Sequence, residues 1–347
     1  MLSIVIPCLN EKDFIARCLD SIVANDYPKE RMEVLVVDGM STDGTRAIVE
    51  EYHRRHPFIR LLDNPQKVTP AALNVGILAA KGDVVMRMDA HASYAPNYIS
   101  LCLRALEEHP AENVGGLWTI VPREDTLTAR AVVAGLSHRF GIGNAEYRLK
   151  GSGEPRWVDT VPYFCVRKET FNRLGLFNEN LHRGQDMEFN LRMQKAGGRT
   201  LLVPAIESTY YARSDLGSFT RHNWRNGEWA ILPFVWSNVV PVSLRHLVPL
   251  AFVTGLFGSL LLSFFWHSAV WLFATIAGSY AFAVTLASLD VASHKKDIRY
   301  FFLMPFIFAD LHIAYGLGSL YGGVKSLLLL IKMIFSRDEN NVSHTAR

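Results

Sequence analysis

The sequence predicts an α/β domain built on a mostly parallel sheet with helices on both faces, followed by C-terminal transmembrane helices. Three observations predict it. Strand-like and helix-like segments alternate through the N-terminal part of the chain. Two near-consecutive runs, 247–266 and 269–289, hold no Lys, Arg, Asp or Glu and are long enough to cross a bilayer. Carboxylates stand at the ends of strand-like runs, where open α/β sheets bind their ligands.

The elements follow in order. Residues 2–6 form a short apolar run closed by Pro7. Phe14, Ile15, Cys18, Leu19 and Ile22 recur at helical spacing. Residues 33–37 read as a second buried strand ending at Asp38. Thr42-Asp43-Gly44 leads into a helix through Tyr52, with Thr42 or Asp43 as its cap. Residues 59–62 form a third strand, 70–80 a helix, and 84–88 a fourth strand ending at Asp89. Pro7, Asp38 and Asp89 therefore converge on one crevice. The middle, 112–211, is less regular, with a glycine-rich stretch at 135–153, a strand at 161–167 and a helix starting near Asp186.

The C-terminal part is apolar. After the two charge-free runs comes His294-Lys295-Lys296-Asp297, then a third apolar region, 300–335, interrupted by Asp310, His312, glycines and Lys325. That region fits one span with an interfacial helix, or a re-entrant pair. A buried helical core in a soluble protein is the plainer alternative, and two charge-free runs of this length argue against it. The expected organisation is a cytoplasmic catalytic domain at 1–215, a juxtamembrane interfacial lid at 216–246, a membrane domain at 247–335 and a polar tail at 336–347.

Bulk properties narrow the function. The 347 residues carry a net charge of +3 with 20% charged residues, so no nucleic-acid partner is expected. Cys8, Cys18, Cys102 and Cys165 lack metal-type or disulfide-framework spacing and read as reduced thiols. The N-terminus has no basic stretch and reaches Pro7 too soon for a signal peptide, which places the large domain in the cytoplasm.

Four segments carry chemistry. Asp38, with its glycine turn, is either an ordinary loop residue or an acceptor for a base or ribose. In Asp89-Ala90-His91, a strand-end carboxylate and an imidazole two residues on can share one divalent cation, Mn or Mg, which would neutralise a diphosphate leaving group. Asp186, at a helix start, is either a dipole-stabilised cap or a general base, with Glu188 as the rival carboxylate. Arg221, Trp224 and Arg225 suit a bilayer interface, or a lid that sets Arg on the diphosphate.

Together these motifs resemble the family-two glycosyltransferases, which have a GT-A fold. The resemblance runs through Ser3-Ile-Val-Ile-Pro-Cys-Leu-Asn-Glu11, Val36-Val-Asp-Gly-Met-Ser-Thr-Asp-Gly-Thr45, Ala72-Leu-Asn-Val-Gly76, Lys81-Gly-Asp83 and Asp89-Ala-His91. Met88-Asp-Ala-His91, Phe140-Gly-Ile-Gly-Asn144, Val158-Asp-Thr-Val-Pro162, Gln185-Asp186 and His312-Ile-Ala-Tyr-Gly-Leu-Gly318 look most like exopolysaccharide enzymes of the succinoglycan β-glucosyltransferase type. The resemblance implies a GT-A-type fold in which Pro7, Asn10, Glu11, Asp38, Asn74 and Asp89 hold the nucleotide. Asp89 and His91 serve the metal, and Asp186 is the base of an inverting displacement. The implied donor is a UDP-sugar carrying glucose or a related hexose. The implied acceptor is a polyprenyl-diphosphate-linked saccharide in exopolysaccharide or surface-glycan assembly.

Three departures from the family pattern matter. Asp38-Gly39 replaces a paired Asp, and Gln185-Asp186 replaces Glu-Asp. The Gln-x-x-Arg-Trp signature of processive synthases appears as His222-Asn-Trp-Arg225-Asn226, which favours addition of a single sugar. A processive polysaccharide synthase and a non-catalytic membrane scaffold are the rival readings. The expected site of action is the cell inner membrane, with membrane lipid around a multi-pass anchor and the catalytic domain in the cytoplasm.

Short basic loops stay inside, so the Lys295-Lys296 loop should be cytoplasmic. A single cysteine at position 295 should resist an impermeant maleimide added from the periplasmic side. Rapid labelling there would contradict this topology.

Overall fold

The computed structural model describes residues 1–149, 153–237 and 244–345, without side-chain detail at 244 and 334–345. Parts of the expected glycine-rich stretch, lid and tail (150–152, 238–243 and 346–347) lie outside the described residues.

The first part alternates as expected: β1 (Leu2–Cys8), α1 (Ile15–Val23), β2 (Met32–Asp38), α2 (Thr45–Arg55), β3 (Ile59–Asp63), α3 (Thr69–Ala79) and β4 (Val84–Arg87). Then come β5 (Ala92–Tyr94), α4 (Tyr98–Glu108), β6 (Asn113–Pro122), α5 (Leu127–Leu136) and α6 (Arg139–Ile142). They are followed by β7 (Arg156–Val158), β8 (Cys165–Arg167), α7 (Lys168–Leu174), α8 (Gln185–Lys195) and β9 (Thr200–Ala212). The remainder is helical: α9 (Leu216–Ile231), α10 (Leu244–Ser263), α11 (Ala269–Lys295), α12 (Arg299–Ala309) and α13 (Tyr315–Thr345). A π-helical turn, Asp310–Ala314, joins α12 to α13. Contacts divide the chain into two compact units: Met1–Val121 with Ala145–Ala212, and Pro122–Asn144 with the chain from Arg213 onward.

In the first unit a nine-stranded sheet has the order β3-β2-β1-β4-β8-β6-β9-β5, with β7 paired to β9. The strands from β1 to β4 are parallel, in register from Leu2↔Met32 to Cys8↔Asp38 and from Leu2↔Val84 to Val5↔Arg87. The second half is antiparallel: β8 runs against β4 and β6, and β9 against β5 and β7. The whole sheet is therefore mixed, with the expected parallel arrangement confined to the half that carries the strand-end carboxylates. Side chains alternate with period two into two cores. Ile4, Ile6, Val34, Val36 and Met86 pack with α1 and α4, while Val5, Leu35, Val37 and Val85 pack with α3 and with Phe171 and Phe189.

Local differences from expectation have physical causes. The strand expected at 161–167 shrinks to β8, because Pro162 supplies no N–H to a ladder. β4 stops at Arg87, where the Met88 amide closes the ladder by donating to the Val5 carbonyl of β1 at 3.0 Å. Gly44, at φ +103°, takes the cap position of α2, while Asp43 Oδ1 still accepts from the Thr45 amide at 3.0 Å.

In the second unit three helical runs are long and apolar enough to cross a membrane: Arg245–Ser263, Ala269–Lys295 and Arg299–Met333. The third run is continuous through the π turn, so no re-entrant turn occurs among its described residues. Asp310, His312 and Lys325, which interrupt it, each have a partner within the unit. Asp310 accepts from Asn223 Nδ2 at 2.7 Å and from the Thr220 hydroxyl, and Lys325 Nζ meets Glu228 Oε1 at 2.7 Å. His312 donates from Nε2 to the Phe140 carbonyl at 3.0 Å, and its Nδ1 accepts from the Tyr280 hydroxyl at 3.1 Å.

α9 lies backbone to backbone on α13. A Cβ at Gly227 would fall 1.9 Å from the Tyr315 carbonyl oxygen, and one at Gly318 would fall 2.1 Å from that of Trp224. Gly227→Ala should therefore push the helices apart and cost about 1–3 kcal/mol, as overpacking does. This should appear as a lower thermal midpoint of the chain in lipid nanodiscs. An unchanged midpoint would contradict the close contact.

Candidate active site

Two sequence motifs interlock at the parallel strand ends. The Asn10 amide donates to Ser41 Oγ at 2.7 Å, and Asn10 Oδ1 accepts from the Thr42 amide at 3.0 Å. The Glu11 amide donates to Thr45 Oγ1 at 2.9 Å, and the Lys12 amide to Asp43 Oδ2 at 3.1 Å. Short polar side chains are needed here because each satisfies a loop amide that no strand or helix can. Asp38 is fully buried beneath this loop and accepts from the Ser41 amide at 2.9 Å and from Arg46 Nη1 at 2.8 Å.

A cleft of about 270 Å³ opens beside these loops. Pro7, Cys8, Glu11, Gly39, Asn64, Lys67, Arg87, Asp89 and His91 are among the residues lining it. Asn64 Oδ1 is buried there without a hydrogen-bond partner among the described residues. His91 Nδ1 lies 3.0 Å from Glu11 Oε1.

Arg87 is the residue the sequence reading missed. Its guanidinium is buried and grips Asp89 with two bonds, Nε to Oδ1 at 2.7 Å and Nη2 to Oδ2 at 3.1 Å. Burial alone would lower the guanidinium pKa, but Asp89 and then Asp186 outweigh it and raise it above its ordinary value. Arg87 also lines a second, smaller cavity with Tyr163, Asp186 and Asn190. It thus stands between the cleft and Asp186. The available signal was a charged residue inside the apolar run Val84-Val-Met-Arg-Met88.

Asp186 sits in the first turn of α8, beyond Gly184 at φ +74°, and its Oδ1 accepts from the Met187 amide at 2.9 Å. Glu188 is buried and held by Arg192, with Nε to Oε1 at 2.6 Å and Nη2 to Oε2 at 3.0 Å. That pairing makes Glu188 a structural residue and leaves Asp186 as the carboxylate facing the cavity.

Of the residues singled out from sequence, Pro7, Glu11, Asp89 and His91 come together around the cleft. Asn10 and Asp38 shape the loop next to it. Asn74 does not line it: its amide is buried and bridges the Phe177 amide and carbonyl, each at 2.9 Å, and Glu179 Oε1 at 2.9 Å. Arg221, Trp224 and Arg225 lie on α9 in the other unit. Arg221 and Arg225 are exposed, and neither forms an ion pair among the described residues. The Trp224 ring lies 5.8 Å from that of Tyr321 on α13.

The family model for glycosyl transferase family 2 matches residues 3–179, half of the chain. The chain belongs to this family. This glycosyltransferase is 29% identical over 270 residues to the succinoglycan biosynthesis protein ExoA of Rhizobium meliloti, covering 77% of this chain and 80% of that one. It is 32% identical over 228 residues to a dolichyl N-acetyl-α-D-glucosaminyl phosphate 3-β-D-2,3-diacetamido-2,3-dideoxy-β-D-glucuronosyltransferase of Methanococcus voltae, covering 63% of this chain and 70% of that one. Among solved structures, the mannosyltransferase PcManGT from Pyrobaculum calidifontis, in complex with GDP-Man and Mn²⁺, superposes with a TM-score of 0.57 at 20% identity, covering 92% of this chain and 87% of that one. That likeness shows that the glycosyltransferase shares the GT-A fold.

Cys8 lines the cleft, yet burial, then Glu11 and Asp38, push its thiol far above the usual range. Its thiol should stay protonated at pH 8 and resist iodoacetamide in the folded enzyme, while the unfolded chain reacts. Intact-mass analysis showing prompt alkylation of Cys8 in the folded enzyme would refute this.

Proposed function

We propose that this glycosyltransferase is an inverting, non-processive enzyme that moves a hexose, glucose or a close relative, from a UDP-sugar to a polyprenyl-diphosphate-linked saccharide. It would act at the cytoplasmic face of the inner membrane, in exopolysaccharide or surface-glycan assembly. The observation that carries the reading is Arg87, paired with Asp89 on the cleft side and lining a second cavity with Asp186 on the other. This arrangement supports a donor on one side of the guanidinium and an attacking hydroxyl on the other. The named activities of ExoA and of the Methanococcus voltae enzyme support a glycan-building role and a lipid-phosphate acceptor. The apolar helices would tie the enzyme to the bilayer in which such an acceptor dissolves.

No group of three ligating side chains gathers among the described residues, so a divalent cation would rest on two cleft residues together with the diphosphate. Asp89 keeps unused lone pairs beside Arg87, and a carboxylate on Nδ1, as Glu11 provides, is the arrangement that orients an imidazole for ligation. Asp89 and His91 would therefore hold Mn or Mg, with room for phosphate oxygens. When bound, the cation offsets the negative charge of the leaving diphosphate. The chain's own residues do the rest. Glu11 and Asn64 would orient the nucleotide, with Lys67 adding a positive charge at the cleft. Asp186 would take the proton of the acceptor hydroxyl as it attacks from the far side of Arg87.

Asp186→Asn should keep UDP binding within a few-fold while cutting transfer by roughly 10²–10⁴-fold, the usual worth of a general base. Glu188→Gln should instead lower the thermal midpoint, since Glu188 is spent on Arg192. Calorimetry with UDP beside nucleotide release decides the matter. An active Asp186→Asn with a properly folded but dead Glu188→Gln would move the base to Glu188.

A further inference from the structure

Asp186 is carried by a helix that is held in two different ways. The Phe189 ring of α8 stacks on Phe171 and tilts against Phe177, with centroids 4.9 Å apart in each pair. Such apolar contacts press the helix onto its bed, but they are non-directional. The other hold is directional. Asn190 stands four residues beyond Asp186, one turn along and on the same face of the helix. Its Nδ2 donates to Thr160 Oγ1 at 3.0 Å, and its Oδ1 accepts from Asn113 Nδ2 at 3.0 Å. Asn113 Oδ1 accepts in turn from the Cys165 amide of β8 at 3.3 Å. All three side chains are buried.

This line of bonds runs on to the cleft. The Phe164 carbonyl, next to Cys165, accepts from the Arg87 amide at 2.9 Å, and Arg87 grips Asp89. Asn113 and Asn190 line the same small cavity as Arg87 and Asp186. Stability alone does not call for such a network. An apolar set of the same shape would cost little or nothing, since each buried amide gives up its bonds to water. What the amides add is direction. Both nitrogens and both oxygens of Asn113 and Asn190 have partners, and hydrogen bonds weaken steeply when misaligned. A rotation of α8 on its bed would leave Phe189 in contact but would break the bonds at Asn190.

Resting on the reading of Asp186 as the base, we infer that Asn190, held by Asn113 and Thr160, is a positioning residue that fixes the rotation of α8 and so the aim of the Asp186 carboxylate. It acts through Asp186 and touches neither donor nor acceptor. Donor binding is therefore independent of it, and its contribution falls on turnover. A reacting group misplaced by about 1 Å can cost roughly 10²-fold in rate, which sets the upper size of the effect.

The test uses the full chain in lipid nanodiscs and follows UDP release from UDP-glucose with water as the acceptor. Asn190→Leu, which removes both bonds and keeps an apolar bulk, should lower kcat by roughly 10–10²-fold. KM for UDP-glucose and UDP affinity by calorimetry should stay within about two-fold, as expected when only a transition-state interaction is lost. Thr160→Val deletes one hydroxyl at nearly constant shape and should lower kcat several-fold. Thr160→Ser keeps the hydroxyl and should hold kcat near the wild type. Thr160→Val also stands in if Asn190→Leu fails to fold. Phe171→Leu is the control: it loosens the apolar bed of α8 and should lower the thermal midpoint with kcat nearly unchanged. Wild-type kcat in folded Asn190→Leu or Thr160→Val overturns the inference. So does an equal loss of kcat in Phe171→Leu, or equal losses in Thr160→Val and Thr160→Ser, since either marks a purely structural role. Loss of UDP affinity in Asn190→Leu would make the segment nucleotide-binding and overturns it as well. Failure of the underlying reading would show separately, as full turnover by Asp186→Asn or no UDP release by the wild type.

Discussion

A guanidinium buried at the end of β4 sets the terms for the catalytic unit. Arg87 cannot lose its charge, so it persists inside the unit only with anionic company. Asp89 supplies it at two contact points, and Asp186, distant in sequence, adds a second negative charge. The backbone around the pair is pinned as well. The Arg87 amide bonds the Phe164 carbonyl at 2.9 Å, and the Asp89 amide bonds the Tyr94 hydroxyl at 2.6 Å. One ion pair thus helps fix where the strand-end loop turns and which way Asp89 faces the cleft.

The parallel half of the fold was legible in the sequence because each strand there is an uninterrupted apolar run and each helix carries its own periodicity. Pro7, Glu11, Asp89 and His91 were legible for the same reason: they stand at strand ends, where topology alone brings them together. Arg87 was not, since its meaning depends on partners at Asp89 and Asp186 rather than on a local pattern. Asn74 shows the opposite limit, because its motif marks the right region while its side chain fastens the Phe177 loop from within.

The second unit is dominated by long apolar helices. Its ionisable residues break the apolar pattern at Asp310, His312 and Lys325, and each break is matched by a partner on α9, α11 or the Phe140 segment. Residues 122–144 group with the long apolar helices rather than with the catalytic unit. Their small residues explain this: a Cβ at Gly135 would meet Ile307 at 2.5 Å. Such grouping arises from packing between distant segments, which composition along the chain does not reveal.

The account stands or falls on whether the centre around Arg87 transfers sugar from a nucleotide. The most direct measurement is nucleotide release by the purified chain in lipid, supplied with a panel of nucleotide sugars, with and without a polyprenyl-diphosphate-linked saccharide. The account requires release of UDP from one UDP-hexose that rises when the lipid-linked saccharide is added. Absence of release from every nucleotide sugar, with the lipid-linked saccharide present and the protein folded, would contradict it.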